Sequence, residues 1–193
     1  MEQFELELNK MFGNKEPGLF DKTVPIVKHG NTYHCFITSD IEAPAEYSEF
    51  CYLLNVATAK DKIILNINTG GGQIDSAFQI LAALKRTKAD VTARIAGTVA
   101  SAGTIIALKC PKLEVEDYTH FMIHNYSTGT QGKGHEVIDY INFNDKDLQN
   151  TFREIYTGFL TEQEIADVLR GKDMWLTADN VRVRWAAKQG ATK

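Results

Sequence analysis

Two residues and one glycine run in this chain of 193 residues have types and settings that fit chemistry: Ser101, His124 and Gly70-Gly71-Gly72. Three consecutive glycines after Thr69 permit positive φ and close backbone approach, and N–H groups at a helix start can point at an anion or a carbonyl oxygen. A tight strand-to-helix turn would ask for the same glycines. The loop is not a P-loop, because the GK(S/T) ending is missing, and GGGQID lacks the G-x-G-x-x-G dinucleotide spacing. Ser101 lies in GTVASAGT, residues 97–104, where small neighbours leave its hydroxyl accessible and let a substrate backbone come close. It either caps the helix that follows or serves as a nucleophile, which needs a base within hydrogen-bond reach and a hole for an oxyanion. His124 ends the apolar FMI and opens the polar NYSTGTQGKG, so its imidazole stands at the carboxyl end of a strand, where open α/β sheets hold their ligands. A core histidine satisfied by a backbone group is the alternative. His29, His34, His120 and His135 have no comparable setting and read as surface or structural residues, and no HxH or HExxH spacing supports a metal.

The elements that must position these groups follow from periodicity. Residues 1–30 are interrupted by Gly13, Pro17, Gly18 and Pro25 and read as an arm or an edge element. HCFITS from His34 is a short strand, and Tyr47, Phe50, Leu54 and Ala57 mark a helical face over 45–59. KIILNIN, residues 62–68, reads as a buried strand that stops at the glycine loop. Ile74, Ala77, Phe78, Leu81 and Leu84 keep helical spacing to Arg86. VTARIA, 91–96, is a strand ending at Gly97, and a helix runs from near Ser101 through Leu108. LEVE (113–116) and HFMI (120–123) are further strands. This alternation predicts βαβ units on a parallel sheet. From Gly134 to Phe159 apolar residues recur with helical spacing, which at about 1.5 Å per residue makes a rod of about 39 Å. A domain of this size has a radius of gyration of only about 16 Å. Part of the helix is therefore expected to project and be covered by another subunit, unless a kink near 142–145 folds it back. Thr161 and Glu164 form a capping box for a short helix to Arg170, and Thr177 is expected to cap the last helix.

Composition bounds the function. The chain is 44% hydrophobic and 24% charged with a net charge of −4, which argues against a binder that works by neutralising phosphates. No apolar run of about 18 residues encodes a membrane span, and the acidic start MEQFELELNKMF is unlike a secretory signal. Cys35, Cys51 and Cys110 are scattered, without a CxxC pair, and read as buried reduced thiols in a cytoplasmic compartment. No internal repeat or linker divides the chain, so 1–193 reads as a single domain with 1–30 as a divergent arm.

Taken in order, the motifs resemble those of the ClpP peptidases. INTGGGQID resembles the family's INSPGG, GTVASAG its GQAASMG nucleophile loop, and FMIH its VMIH. The segment Asp173-Met174-Trp175-Leu176-Thr177-Ala178 is similar to the family's D-x-F-(L or M)-S-A. The resemblance covers roughly Tyr33 to Ala187. It implies an α/β, ClpP/crotonase-like fold of stacked βαβ units with a protruding long handle helix. It also implies Ser101 as nucleophile, His124 as general base and then acid, and a buried Asp173 that orients the imidazole. The backbone N–H groups of Gly72 and Ala102 would form the oxyanion hole. Gly71 and the stretch Thr128, Gly129, Thr130 and Gln131 would bind substrate, the latter resembling the family's Gly-rich handle strand, to whose edge an extended peptide can add. Implied with it are a peptide or unfolded-protein substrate, a homo-oligomer of stacked heptameric rings, an AAA+ unfoldase partner, and no cofactor, nucleic acid or membrane.

Departures are visible. Gly70 stands where the family has Pro, Ala102 where it has Met, Asn125-Tyr126 where it has Gln-Pro, and Trp185 where it has Gly. The Ser101-to-His124 interval is about two residues short, and the arm matches none of the family's axial loops, which bears on the docking of an unfoldase. Three other readings can be weighed. An α/β-hydrolase would run Ser, acid, His with a G-x-S-x-G elbow, whereas this chain runs Ser, His, Asp. A crotonase-type acyl-CoA enzyme would not need the three residues together. An inactive scaffold subunit of a ring would be expected to lack one of them.

Overall fold

The computed structural model describes residues 23–190; most of the arm, residues 1–22, lies outside them. Seven strands form one mixed sheet: β1 (Ile26–His29), β2 (Thr32–Ile37), β3 (Lys62–Thr69), β4 (Asp90–Ala100), β5 (Lys112–Val115), β6 (His120–Ile123) and β7 (Met174–Thr177). The order is β1-β2-β3-β4-β6-β7, with β5 also paired to β4. The neighbours β2, β3, β4, β5 and β6 run parallel, as alternating strands and helices require. The two ends are antiparallel, β1 on β2 and β7 on β6. Helices α1 (Ser48–Val56), α2 (Ile74–Arg86) and α3 (Ala102–Lys109) fill the crossovers, followed by α4 (Gly134–Tyr156), α5 (Glu162–Leu169) and α6 (Ala178–Gly190).

Alternation along the strands shows where the core sits. Ile63, Leu65 and Ile67 on β3 face the same side as their partners Val91, Ala93 and Ile95 on β4, and all six are buried. The intervening Ile64, Asn66, Thr92 and Arg94 are only half-buried. KIILNIN is therefore buried on one face, not two. The polar Asn66 and Asn68 mark the wetter face.

The largest departure from the sequence reading is in β4. It does not stop at Gly97 but runs on to Ala100 through an irregularity, in which Asn68 of β3 stands across from Ala96, Gly97 and Thr98. Gly97 takes φ +64°, a value that favours glycine, and a Cβ there would come within 2.9 Å of the Asn68 amide oxygen. That oxygen accepts from the Thr98 N–H at 3.0 Å. The strand forks at this point: Thr92–Ile95 pair with β5, and Thr98–Ala100 pair with β6. Thr119, buried in the fork, donates its hydroxyl to the Ile95 carbonyl at 3.2 Å and the Glu116 carbonyl at 2.7 Å.

Other boundaries shift by a turn or less. The helical face expected over 45–59 resolves into a 3-10 turn, Pro44–Tyr47, and then α1. Helix α4 is unbroken through 142–145, so no kink folds it back, and it ends at Tyr156, before Gly158 at φ +81°. Its Ile138, Tyr140, Ile141 and Phe143 are exposed. Helix α5 begins with the expected capping box at Thr161 and Glu164. Thr177 accepts from the Asn180 N–H at the start of α6.

Glu164 also joins α5 to α6, bracketing the turn that leads into β7. Arg184 donates to both of its carboxyl oxygens, at 2.7 and 2.9 Å. The guanidinium, aided by the Thr161 N–H, holds the Glu164 carboxyl at about 2, below its ordinary 4.5. A depressed carboxyl contributes stability above its unfolded pKa and loses it as pH falls toward the folded one. Thermal melts of wild type and Glu164→Gln are expected to differ by a constant amount from pH 7 to about 5. The gap should close between about pH 4.5 and 2, and a gap independent of pH would refute the ion pair.

Candidate active site

Ser101 occupies the first position beyond β4, where the fork has brought that strand beside β6. Its N–H donates to the Met122 carbonyl at 2.9 Å, and Ala100 pairs with Met122. His124 immediately follows β6. Serine and histidine are thus held at the carboxyl ends of adjacent parallel strands. The glycine loop at the end of β3 completes the arrangement: a Cβ on Gly71, at φ +102°, would lie 2.6 Å from the Ser101 Cβ and 3.2 Å from the Ala102 N. Gly72, at φ +145°, is pressed against the backbone of Ile41, which is bonded on both sides, Ile41 N–H to the Gly71 carbonyl at 2.7 Å and Gln73 N–H to the Ile41 carbonyl at 2.8 Å. These glycines do more than turn the chain. Their missing side chains make room for Ser101 and for Ile41.

Neither bland reading of Ser101 and His124 survives. Ser101 stands at the N-cap position of α3, yet its hydroxyl makes no capping hydrogen bond. It adopts φ +53° and ψ −125°, a conformation that costs a residue with a side chain on the order of 1–3 kcal/mol. The His124 ring has no hydrogen-bond partner among the described residues, so it is not a core histidine tied to a backbone group. No buried polar side-chain atom among the described residues lacks a partner; the unbonded hydroxyl and ring are therefore open to solvent. Both line one cleft of about 660 Å³, with Gly72 and Ala102 beside them. The N–H groups of Gly72 and Ala102 donate to nothing within the described residues.

The other expected site residues fall out differently. Asp173 was expected to be buried, but it is exposed and does not line the cleft. It precedes the edge strand β7, in the exposed turn Arg170–Asp173. The β6–β7 register nonetheless ends at Ile123 opposite Met174, and one step further in that register sets His124 opposite Asp173. Residues directly opposite in an antiparallel pair share a face. No hydrogen bond or ion pair joins the three side chains. Of the substrate-binding candidates, Gly71 is buried beneath Ser101 and Thr128 lines the cleft. Gly129, Thr130 and Gln131 are exposed, off the cleft wall and outside any strand.

The rest of the cleft comes from Asp40, Ile41 and Glu42 and from α2, α3 and α4, with Phe78, Ile105, Phe152 and Ile155 as apolar lining. The segment after His124 is tied down from two sides: Asn125 donates to the Leu169 carbonyl at 3.0 Å, and the Tyr126 hydroxyl donates to Asp145 of α4 at 3.1 Å. The cysteines offer no competing nucleophile. All three are free and buried, and burial pushes the Cys35 and Cys110 thiols up to about 12.

Comparison with known proteins bears on the fold and the family. The family model described as Clp protease matches residues 31–183. Proteolytic subunit 3 of the ATP-dependent Clp protease of Rhizobium meliloti is 31% identical over 132 residues, covering 65% of this chain and 66% of that one. Proteolytic subunit 1 of Chlamydia caviae is 24% identical over 137 residues, covering 68% and 71%. A solved structure of a ClpP1 mutant from Listeria monocytogenes superposes with a TM-score of 0.65 at 21% identity, over 80% of this chain and 88% of that one, a likeness of fold. The chain belongs to the Clp protease family.

Gly71 offers a test of the arrangement that leaves the side chains of Ser101, His124 and Asp173 chemically unaltered. Gly71→Ala adds a Cβ that would meet the Ser101 Cβ at 2.6 Å and the Ala100 carbonyl at 2.8 Å, at a positive φ. Its expected effects are a loss of about 1–3 kcal/mol of stability and a fall in Ser101 reactivity toward a fluorophosphonate on the order of 100-fold. Unchanged labelling kinetics in the folded variant would show that the glycine loop does not abut the serine.

Proposed function

We propose that this protein is a serine endopeptidase that hydrolyses peptide bonds of unfolded proteins or short peptides through Ser101, His124 and Asp173, inside a ring-shaped homo-oligomer. The observation that carries the reading is the uncapped, positive-φ Ser101 on the same cleft wall as an unbonded imidazole and two unused backbone N–H groups.

Ser101 Oγ attacks the scissile carbonyl carbon while its proton passes to His124, and the carbonyl π electrons move onto oxygen. That oxyanion accepts from the Gly72 and Ala102 N–H groups, each donor worth on the order of 3 kcal/mol in the transition state. His124 returns the proton to the leaving nitrogen, the C–N bond breaks, and an ester on Ser101 remains. Water, deprotonated by His124, attacks the ester; as the C–O bond to Ser101 breaks, His124 returns that proton to Oγ and the acid leaves. Asp173, opposite His124, stabilises the imidazolium and sets its tautomer once the side chains engage. Catalytic hydrogen bonds in unliganded sites are often long and tighten only in the complex. The apolar cleft between α2, α3 and α4 takes the side chain preceding the scissile bond, and Thr128–Gln131 offers an exposed, unpaired stretch for a peptide backbone.

Ile138 and Ile141 of α4 are exposed and off the cleft wall, apolar side chains that another subunit would cover, which is the support for the ring. The ring, its heptameric size, its stacking and the docking of an AAA+ unfoldase are part of this proposal. Among the described residues no helix is long and apolar enough to cross a membrane.

A second reading is a ring subunit without activity, favoured by the exposed, unbonded Asp173. Fluorophosphonate labelling separates the two. Wild type should be modified at Ser101, Ser101→Ala should not, and His124→Ala should lose peptide hydrolysis by several orders of magnitude with its oligomer intact. An assembled wild-type sample that takes no label would favour the inactive subunit.

A further inference from the structure

Helix α3 reads AGTIIALK and is buried along its whole length except at Lys109, so a threonine at its third position needs a partner. Thr104 is fully buried and spends its hydroxyl proton on the Ser101 carbonyl, 2.6 Å away; its own N–H donates to the same oxygen at 2.9 Å. A carbonyl only accepts, so the Thr104 proton points at Ser101. The short contact of 2.5 Å between Thr104 Oγ1 and the Tyr156 hydroxyl is then a bond donated by Tyr156. Tyr156 is the last residue of α4, 1% exposed, with its ring against Phe152 at 4.2 Å. Burial pushes its phenol well above the ordinary value, so it keeps the proton it donates.

The acceptor of this chain of hydroxyls is not an arbitrary carbonyl. The Ser101 C=O and the Ala102 N–H belong to one planar trans peptide unit, in which oxygen and hydrogen point in opposite directions. Fixing the oxygen fixes the N–H. Hydrogen bonds in series also polarise one another, so two donors on the oxygen make the N–H at the other end a stronger donor. The same unit carries the strained ψ of Ser101, which must be held by something outside the residue.

We propose that Tyr156 and Thr104 are positioning residues that aim and polarise the Ala102 N–H toward the developing oxyanion, joining the end of the long helix α4 to the reacting peptide unit. The role rests on the peptidase reading for its catalytic consequence and on geometry alone for the restraint of Ser101.

The test uses the full-length protein as four variants with wild type: Tyr156→Phe and Thr104→Val, which remove a hydroxyl and keep the shape, Thr104→Ser, which keeps the hydroxyl, and Ser101→Ala as the labelling blank. Three readouts are taken: steady-state hydrolysis of a fluorogenic peptide, fluorophosphonate labelling at Ser101, and amide hydrogen exchange of the segment 100–105. Tyr156→Phe and Thr104→Val are expected to lower kcat on the order of 10-fold or more with KM within about two-fold, and to speed exchange of 100–105. Thr104→Ser should restore both. The proposal is overturned if Tyr156→Phe and Thr104→Val match wild type in kcat, or if KM rises with kcat unchanged. If wild type neither cleaves nor labels at Ser101, the peptidase reading and the catalytic half of the proposal both fall. Exchange in 100–105 then decides the restraint alone: faster in Tyr156→Phe supports it, unchanged refutes it.

Discussion

A serine can sit at φ +53° and ψ −125° only where its surroundings over-determine it, and every other feature of the site leans on that restraint. The Ser101 N–H is bonded to Met122 of β6, and its carbonyl takes two bonds from Thr104. With both backbone polar groups fixed, the side chain has one direction left to it, into the cleft. The strain, on the order of 1–3 kcal/mol, is offset by burial around it: Ala100, Ala102, Ile105 and Ile106 are all buried. Had Ser101 relaxed to an ordinary N-cap conformation, its hydroxyl would have turned to the α3 backbone.

The restraint in turn requires β4 and β6 to be neighbours at their carboxyl ends, and that is the work of the fork at Gly97. Before it, β4 is occupied by β5; beyond it, by β6. Asn68 fills the space that the irregularity opens, and Thr119 supplies the hydrogen bonds that the change of partner would leave unmade. The glycine loop arrives from β3 on the other side and closes over Ser101, since Gly71 has no Cβ to hold it off. Three neighbouring parallel strands each deliver a part: β3 the Gly72 N–H with the glycines, β4 the hydroxyl and the Ala102 N–H, and β6 the imidazole. The carboxylate comes from the turn before the antiparallel edge strand β7, and it is exposed where Ser101 and His124 are half-buried.

Much of this was legible in the sequence. Apolar spacing marks α2, α3 and α4 within a few residues, because helical faces packed on a sheet must repeat in that way, and the motifs with glycine and small residues pointed to the loops that line the candidate site's cleft. What could not be read locally was tertiary. Gly97 looks like a strand end because glycine usually stops a strand; only Asn68, bonded to Thr98 from the next strand, lets β4 continue. The exposure of Asp173 depends on β7 being an edge. Thr104 and Tyr156 carried a faint signal, a lone hydroxyl inside an otherwise apolar helix and a tyrosine on the buried face of α4, but their meeting joins positions that no short-range pattern relates. Residues 1–22 lie outside the described structure, and the end of the arm that is described forms the edge strand β1.

The central claim is that the hydroxyl and the two N–H groups address one point in the cleft. A crystal structure of the protein with a peptide boronate tests it most directly, since a tetrahedral boronate mimics the geometry of the attacked carbonyl. The account predicts a covalent bond from Ser101 Oγ to boron, with one boronate oxygen about 2.7–3.1 Å from the N–H groups of Gly72 and Ala102 and His124 turned to the hydroxyl side. An adduct whose oxygens point away from both N–H groups, or a boronate bound without a bond to Ser101, would contradict it.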